Sequence, residues 1–259
     1  MSEPRATRTQ GRTSRVLVVG AGGLGCAAGL VLARSARHLA LRLAVTVIDD
    51  DVVSPDNLHR QLFYGDGDVG APKAPRFVER FLEEAHRHGA RSIEAQHREL
   101  RIVPNNARAL IREHDLVIEG ADNFATKFLV SDAARLEARP VVHAGVVRWA
   151  GYALATGPQS RPCYRCLFED LPREQPDTCA ISGVVGPLVA LLGALQAELA
   201  LSILLGRADA GGRFVHVDAK RGGTIRARRL AWRPACESCG ERPSLREIEA
   251  ERYSQPSCA

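Results

Sequence analysis

A chain of 259 residues with 45% apolar content is long enough for one large α/β domain or two small ones, and can bury the core of a soluble enzyme. Its net charge of +5 raises nucleic acid as a partner, but the basic residues are nearly all arginine and lie scattered, so none is expected. The opening MSEPRATRTQGRTSR has no apolar core and the most apolar stretch, residues 184–205, is interrupted by Pro187, Gln196 and Glu198, so neither a signal peptide nor a membrane span is expected.

In chain order, RVLVVG from Arg15 is a β-branched run that stops at Gly20, followed by a glycine cluster and a helical stretch from Leu24 to Ser35. VTVIDD (45–50) predicts a second strand, residues 76–88 an amphipathic helix, IEAQH (93–97) a weaker strand and residues 105–113 a helix. DLVIEG (115–120), the helix 126–137 and PVVHAG (140–145) continue the alternation, which predicts a mostly parallel, Rossmann-like sheet with helices on both faces. Beyond Gly145 the pattern changes to a strand near 152–156, a polar Pro-rich segment over 157–177, a long apolar helix at about 184–205, and strands at RFVHVDA and TIRARRLAW. This second part reads as a smaller antiparallel region. Residues 1–12 are expected to be disordered and 244–259 a flexible tail, leaving 13–243 as a single domain.

Gly20-Ala-Gly22-Gly23-Leu-Gly25 places a G-x-G-x-x-G turn between strand and helix, where glycines let the backbone approach a phosphate at the helix N-terminus. Asp49, ending the next strand, is at the right distance to bond ribose hydroxyls. Asn57, Arg60, Gln61 and Lys73 follow, and cationic donors converging beside the turn suit a triphosphate better than the two charges of a dinucleotide. Lys73 is one of only three lysines. Asp122 and Asn123 fall just past a strand, at the edge where such sheets bind ligands. Asp122 reads either as a magnesium ligand or as the N-cap of the following helix, a role Asn123 could equally fill.

Seven cysteines include two Cys-x-x-Cys pairs, Cys163/Cys166 and Cys236/Cys239, which together predict a closed tetrahedral zinc site of structural role in a reducing, cytoplasmic compartment. Cys179, in PDTCAISGVVGP, stands apart before the long helix, as a candidate thiol nucleophile or an inert buried cysteine.

GAGGLGCAA, DDDVVSPDNLHRQ, DVGAPKA, EHDLVIEGADNFATKF, PCYRCL, TCAISGVVGPLVALLGALQAELA and CESCG, in order over residues 15–240, resemble the ubiquitin-activating-enzyme superfamily. The likeness is to its bacterial adenylyltransferases of molybdopterin and thiamin biosynthesis. It implies an ATP-binding adenylyltransferase domain with Gly23 on the ATP phosphates, Asp49 on the ribose, and Asn57, Arg60, Gln61 and Lys73 near the triphosphate. Asp122 would hold magnesium with Asn123 beside it, the paired cysteines zinc, and Cys179 a covalent bond to the activated carrier. The implied reaction adenylates the C-terminal carboxylate of a ubiquitin-fold carrier protein ending in Gly-Gly, in a homodimer served by a separate sulfur donor. Members of this type begin with an Arg-Tyr-x-Arg-Gln helix whose arginine reaches the partner's ATP; here only Arg5, Arg8 and Arg12 stand before the first strand. The connection SARHLALRLA reads as longer and more basic than the usual turn. Alternatives are an ATP-binding subunit of a heterodimeric activating enzyme, an ATP-dependent tRNA-modifying dehydratase, and a NAD oxidoreductase.

Overall fold

The computed structural model describes residues 12–157, 160–171, 183–220 and 223–254. Eight strands form one sheet in the order β3-β2-β1-β4-β5-β6-β7-β8. They are β1 (Thr13–Val19), β2 (Arg42–Ile48), β3 (Ile93–Arg98), β4 (Leu116–Glu119), β5 (Val141–Val147), β6 (Ala150–Ala155), β7 (Arg213–Asp218) and β8 (Thr224–Arg229). The first five pair in parallel, and β5 through β8 run antiparallel. The expected antiparallel region is thus an extension of the same sheet.

The helices are α1 (Gly23–Ser35), α2 (Lys73–Arg87), α3 (Pro104–Arg112), α4 (Phe124–Leu136), α5 (Tyr164–Leu167) and α6 (Gly186–Leu204). Because side chains alternate along a strand, β1 sends Val16 and Val18 to one face and Leu17 and Val19 to the other. The first face packs against α1, α2 and α6, the second against α3 and α4. Both faces are covered, which is why these strands read as continuous apolar runs. By length and hydropathy α6 could cross a membrane, but it packs on α1, β4, β5 and β6 as a core helix.

Three differences from the sequence reading have physical causes. Arg42–Ala44 belong to β2, because the strand continues its ladder with β1 down to Thr13, so the connection after α1 is the short turn 36–41. Tyr164–Leu167 form a helical turn, with Cys163 as its N-cap, inside the segment expected to be irregular. Residues 244–254, expected to be a flexible tail, are instead anchored: Leu245 and Tyr253 are buried, and the Tyr253 hydroxyl donates to Asp132 Oδ2 at 3.0 Å.

A buried polar group ties β4, β5 and α4 together. Lys127 Nζ donates to Glu119 Oε2 at 2.9 Å, and His143 Nδ1 donates to the same oxygen at 3.0 Å. The second Glu119 oxygen accepts the Ala121 N–H at 2.6 Å, fixing the turn that leads to Asp122. Burial would raise the Glu119 carboxyl, but Lys127 and His143 outweigh it and hold it below its ordinary value. Burial lowers His143 more than the carboxylate raises it, so the imidazole is neutral. Its Nε2 has no hydrogen-bond partner among the described residues.

Both groups bind fewer protons folded than unfolded, so the stability they contribute is present above their unfolded pKa values and lost as pH falls. The histidine part goes first, below about 6.5, and the glutamate part follows in the carboxylate range. Urea unfolding midpoints should therefore drop between pH 7 and pH 5, and His143→Gln should reduce that drop. An unchanged pH slope in this variant would refute the assignment.

Candidate active site

The candidate site is built from loops at the carboxyl edge of the parallel strands, where helix N-termini and strand ends meet. Gly20 turns the chain out of β1 with φ +94, a left-handed conformation that favours glycine, and its N–H is held by Ile48 O at 3.0 Å. Gly25 is needed for close approach, since a methyl there would drive into the Gly20 carbonyl oxygen. Gly22, the N-cap of α1, has no side-chain cap, and a Cβ on it would meet nothing within 4 Å. Open space therefore lies beside backbone N–H groups at a helix start, a cradle suited to phosphate. Gly23 lies against the wall formed by Arg60 and Val189 of α6, with the Arg60 carbonyl oxygen 3.0 Å from its virtual Cβ.

Asp49 links this turn to the next loop. Its Oδ2 accepts the Ala21 N–H at 2.7 Å and its Oδ1 the Asp51 N–H at 2.8 Å. Burial pushes its pKa up from the ordinary value despite these donors. A carboxylate has further lone pairs, so ribose hydroxyls can still be accepted. Lys73 is largely buried: its side chain is 7% exposed and its Nζ lies 2.8 Å from Asp51 Oδ2. Asn57 Oδ1 accepts from Arg60 Nη2 at 2.5 Å, orienting the guanidinium. Gln61 is buried and its Oε1 has no hydrogen-bond partner among the described residues.

The turn after β4 abuts the glycine turn, because a Cβ on Gly20 would come within 3.2 Å of Gly120 O. Asn123 takes the N-cap role, its Oδ1 accepting the Thr126 N–H at 2.8 Å. Asp122 is thereby left exposed at the same edge, available as a cation ligand. Arg12 lies elsewhere, ion-paired with Asp115 at 2.9 Å, at the end of the sheet where β1 and β4 begin. Arg5, Arg8 and Cys179 lie outside the described residues.

Cys163, Cys166, Cys236 and Cys239 are all buried, with their sulfurs within 4.8 Å of one another. The Cys163–Cys236 and Cys166–Cys239 sulfur separations of 3.6 and 3.3 Å approach the ~3.8 Å edge of a tetrahedron of 2.3 Å zinc–sulfur bonds. The donor set fits zinc and leaves no position for a reacting water. Sequence reading missed what braces it. Arg165, inside the first Cys-x-x-Cys, binds Asp132 of α4 at 3.0 Å and Glu237, inside the second, at 2.6 Å. Arg161 donates to the Cys239 and Gly240 carbonyls, each at 2.7 Å. The charged residues between paired cysteines were the available signal.

Residues 5–239 match the ThiF family. This chain belongs to that family. It is 37% identical over 260 residues to the SAMP-activating enzyme E1 of Haloferax volcanii, an alignment covering 96% of this chain and 89% of that protein. It is 33% identical over 239 residues to the adenylyltransferase and sulfurtransferase MOCS3 of Anopheles gambiae, covering 92% of this chain and 52% of MOCS3. The chain thus spans about half of that relative's length. Among solved structures, Escherichia coli MccB with ATP matches at a TM-score of 0.68 and 20% identity, covering 88% of this chain and 67% of that one, a likeness of fold.

Two outcomes test this geometry. Gly25→Ala should lower stability by about 1–3 kcal/mol through the clash with Gly20, whereas Gly22→Ala should leave the thermal midpoint nearly unchanged. Elemental analysis should find one zinc bound per chain, lost in Cys236→Ser, and stripping it with a strong chelator should lower the thermal midpoint. Metal-free protein of full stability would exclude a structural zinc.

Proposed function

We propose that this chain uses ATP to adenylate the C-terminal Gly-Gly carboxylate of a small ubiquitin-fold sulfur-carrier protein, releasing pyrophosphate. The observation that carries the reading is the convergence of an open glycine turn, Asp49, Arg60 and a buried Lys73 at one sheet edge in a ThiF-family chain. The names of its relatives, an E1-type activating enzyme and an adenylyltransferase, support the same reaction.

In this reading a carboxylate oxygen of the carrier attacks the α-phosphorus of ATP. The bond from that phosphorus to the bridging oxygen breaks, and its electron pair leaves with pyrophosphate. The nucleophile is already ionised, so no general base is needed, and the chain's part is to position and neutralise. The glycine turn holds phosphate oxygens on backbone N–H groups, and Asp49 orients the ribose. Arg60, set by Asn57, and Lys73, set by Asp51, face the growing negative charge, with Gln61 beside them. Asp122 would hold magnesium, which would neutralise phosphate charge that otherwise repels the incoming carboxylate. The zinc clip takes no part in the chemistry. In a later step the Cys179 thiolate would attack the acyl carbon of the adenylate, forming a thioester as the bond to the phosphate oxygen breaks and AMP leaves. A cytoplasmic homodimer and a separate protein as sulfur donor complete the proposal.

The test is ATP–pyrophosphate exchange with zinc-loaded protein, magnesium and candidate Gly-Gly carriers. Exchange should appear with the cognate carrier, vanish when its last glycine is removed, and fall by roughly 100-fold or more in Lys73→Ala and Asp122→Ala. Folded, ATP-binding protein that exchanges with no carrier would sink the proposal.

A further inference from the structure

Tyr64 takes no part in the chemistry described above, yet it stands between the two halves of the site. It is 8% exposed, and its hydroxyl lies 2.9 Å from the Ala21 carbonyl oxygen and 3.1 Å from the Lys73 carbonyl oxygen. Ala21 belongs to the glycine turn, and Lys73 opens α2 and carries the buried ammonium. Tyr64 also ends the segment that bears Asn57, Arg60 and Gln61, its own N–H bonded to Gln61 O at 3.2 Å. One residue, through its hydroxyl and its backbone N–H, therefore joins all three pieces expected to meet the triphosphate.

A phenol has one proton and here faces two carbonyl acceptors. The second proton is at hand, because the fully buried Cys26 places its Sγ 3.4 Å from the same Ala21 oxygen. Burial pushes the Cys26 thiol up to about 12, and the phenol is likewise raised, so both carry their protons at neutral pH. Two donors thus match two carbonyls. We propose that Tyr64 is a positioning residue, with Cys26 as its second donor, that sets the distance between the glycine turn and Lys73; the inference rests on this edge being an ATP site.

The hydrogen bonds close a circuit. Ala21 N binds Asp49, Asp49 binds Asp51 N, and the Asp51 carbonyl accepts Lys73 N at 2.9 Å. From Lys73 O the path returns through Tyr64 to Ala21 O. The Asp51 side chain, beside the backbone groups of the outer arm, is 58% exposed, whereas Tyr64 is buried. The buried arm holds its geometry without competition from water, so it dominates the spacing of turn and lysine.

Tyr64→Phe keeps the ring packing and removes only the hydroxyl. Calorimetry on full-length, zinc-loaded protein with magnesium reads ATP binding without any carrier. ATP affinity should weaken roughly five-fold or more, the worth of one hydrogen bond, while adenosine affinity measured by competition stays within about two-fold. Cys26→Ser, which retains a donor, should bind ATP more tightly than Cys26→Ala. Equal losses for ATP and adenosine, or unchanged ATP affinity with a lowered thermal midpoint, would make Tyr64 a packing residue and overturn the inference. If Tyr64→Phe does not fold, equal ATP affinities in the two Cys26 variants overturn it instead. Wild-type protein that binds ATP but shows no carrier-dependent exchange removes the adenylation reading and leaves this comparison standing.

Discussion

Much of this structure depends on one half-buried carboxylate holding two backbone N–H groups. Asp49 stands at the end of β2, and its oxygens take Ala21 from the turn after β1 and Asp51 from the loop that leads to Lys73. Parallel neighbouring strands deliver these loops to the same edge, but a sheet ladder ends where the strands end. Beyond that point only side-chain acceptors can join the loops, and a carboxylate, with several lone pairs, can serve two donors and a ligand at once. Its position is costly for an ion, as the raised pKa shows, and the N–H groups offset part of that cost.

The far half of the sheet is organised differently. Antiparallel strands need no helix between them, so β6 to β8 contribute little cover of their own, and the four clustered cysteines bring the chain after β8 against the helical turn of α5. Arg165 and Glu237 join the two cysteine pairs a second time, and Asp132 and Tyr253 extend the cluster to α4 and the C-terminal segment. Desolvation offsets most of the attraction within such a group, so its intact form adds little net stability, whereas removing Arg165 or Asp132 alone leaves a buried charge unpaired and is strongly destabilising.

Sequence alone reveals the fold class because a two-sided sheet imposes long apolar runs and because glycines and prolines punctuate them. The glycine turn at Gly20, Gly22 and Gly25 was legible for the same reason: spacing within one strand–turn–helix unit maps directly onto space, while Asp49 and Lys73, after β2 and at the start of α2, come to the same edge through the parallel order of the strands. Tyr64, Glu119, His143 and Arg165 were not, because their partners lie on separate elements and nothing in the local pattern marks a pairing across the fold. Lys127 was the exception that could have been noticed, since a chain so poor in lysine places one in the first turn of a mostly buried helix. Residues 244–254 read as solvent-facing from their short polar composition, while Leu245 and Tyr253 are buried against the fold.

The outermost strand has a consequence of its own. β8 is exposed at every residue, and among the described residues no strand pairs with its outer edge. An open edge of this kind is a template for unwanted strand addition, yet Arg226, Arg228 and Arg229 stud it with positive charge, and the Arg228 guanidinium folds over the Phe214 ring at 4.8 Å. Like charge on a second molecule repels edge-to-edge approach, so the protection is electrostatic and weakens as salt shortens the screening length. The colloidal behaviour of the protein is thereby tied to ionic strength, through a strand that takes no part in its active site.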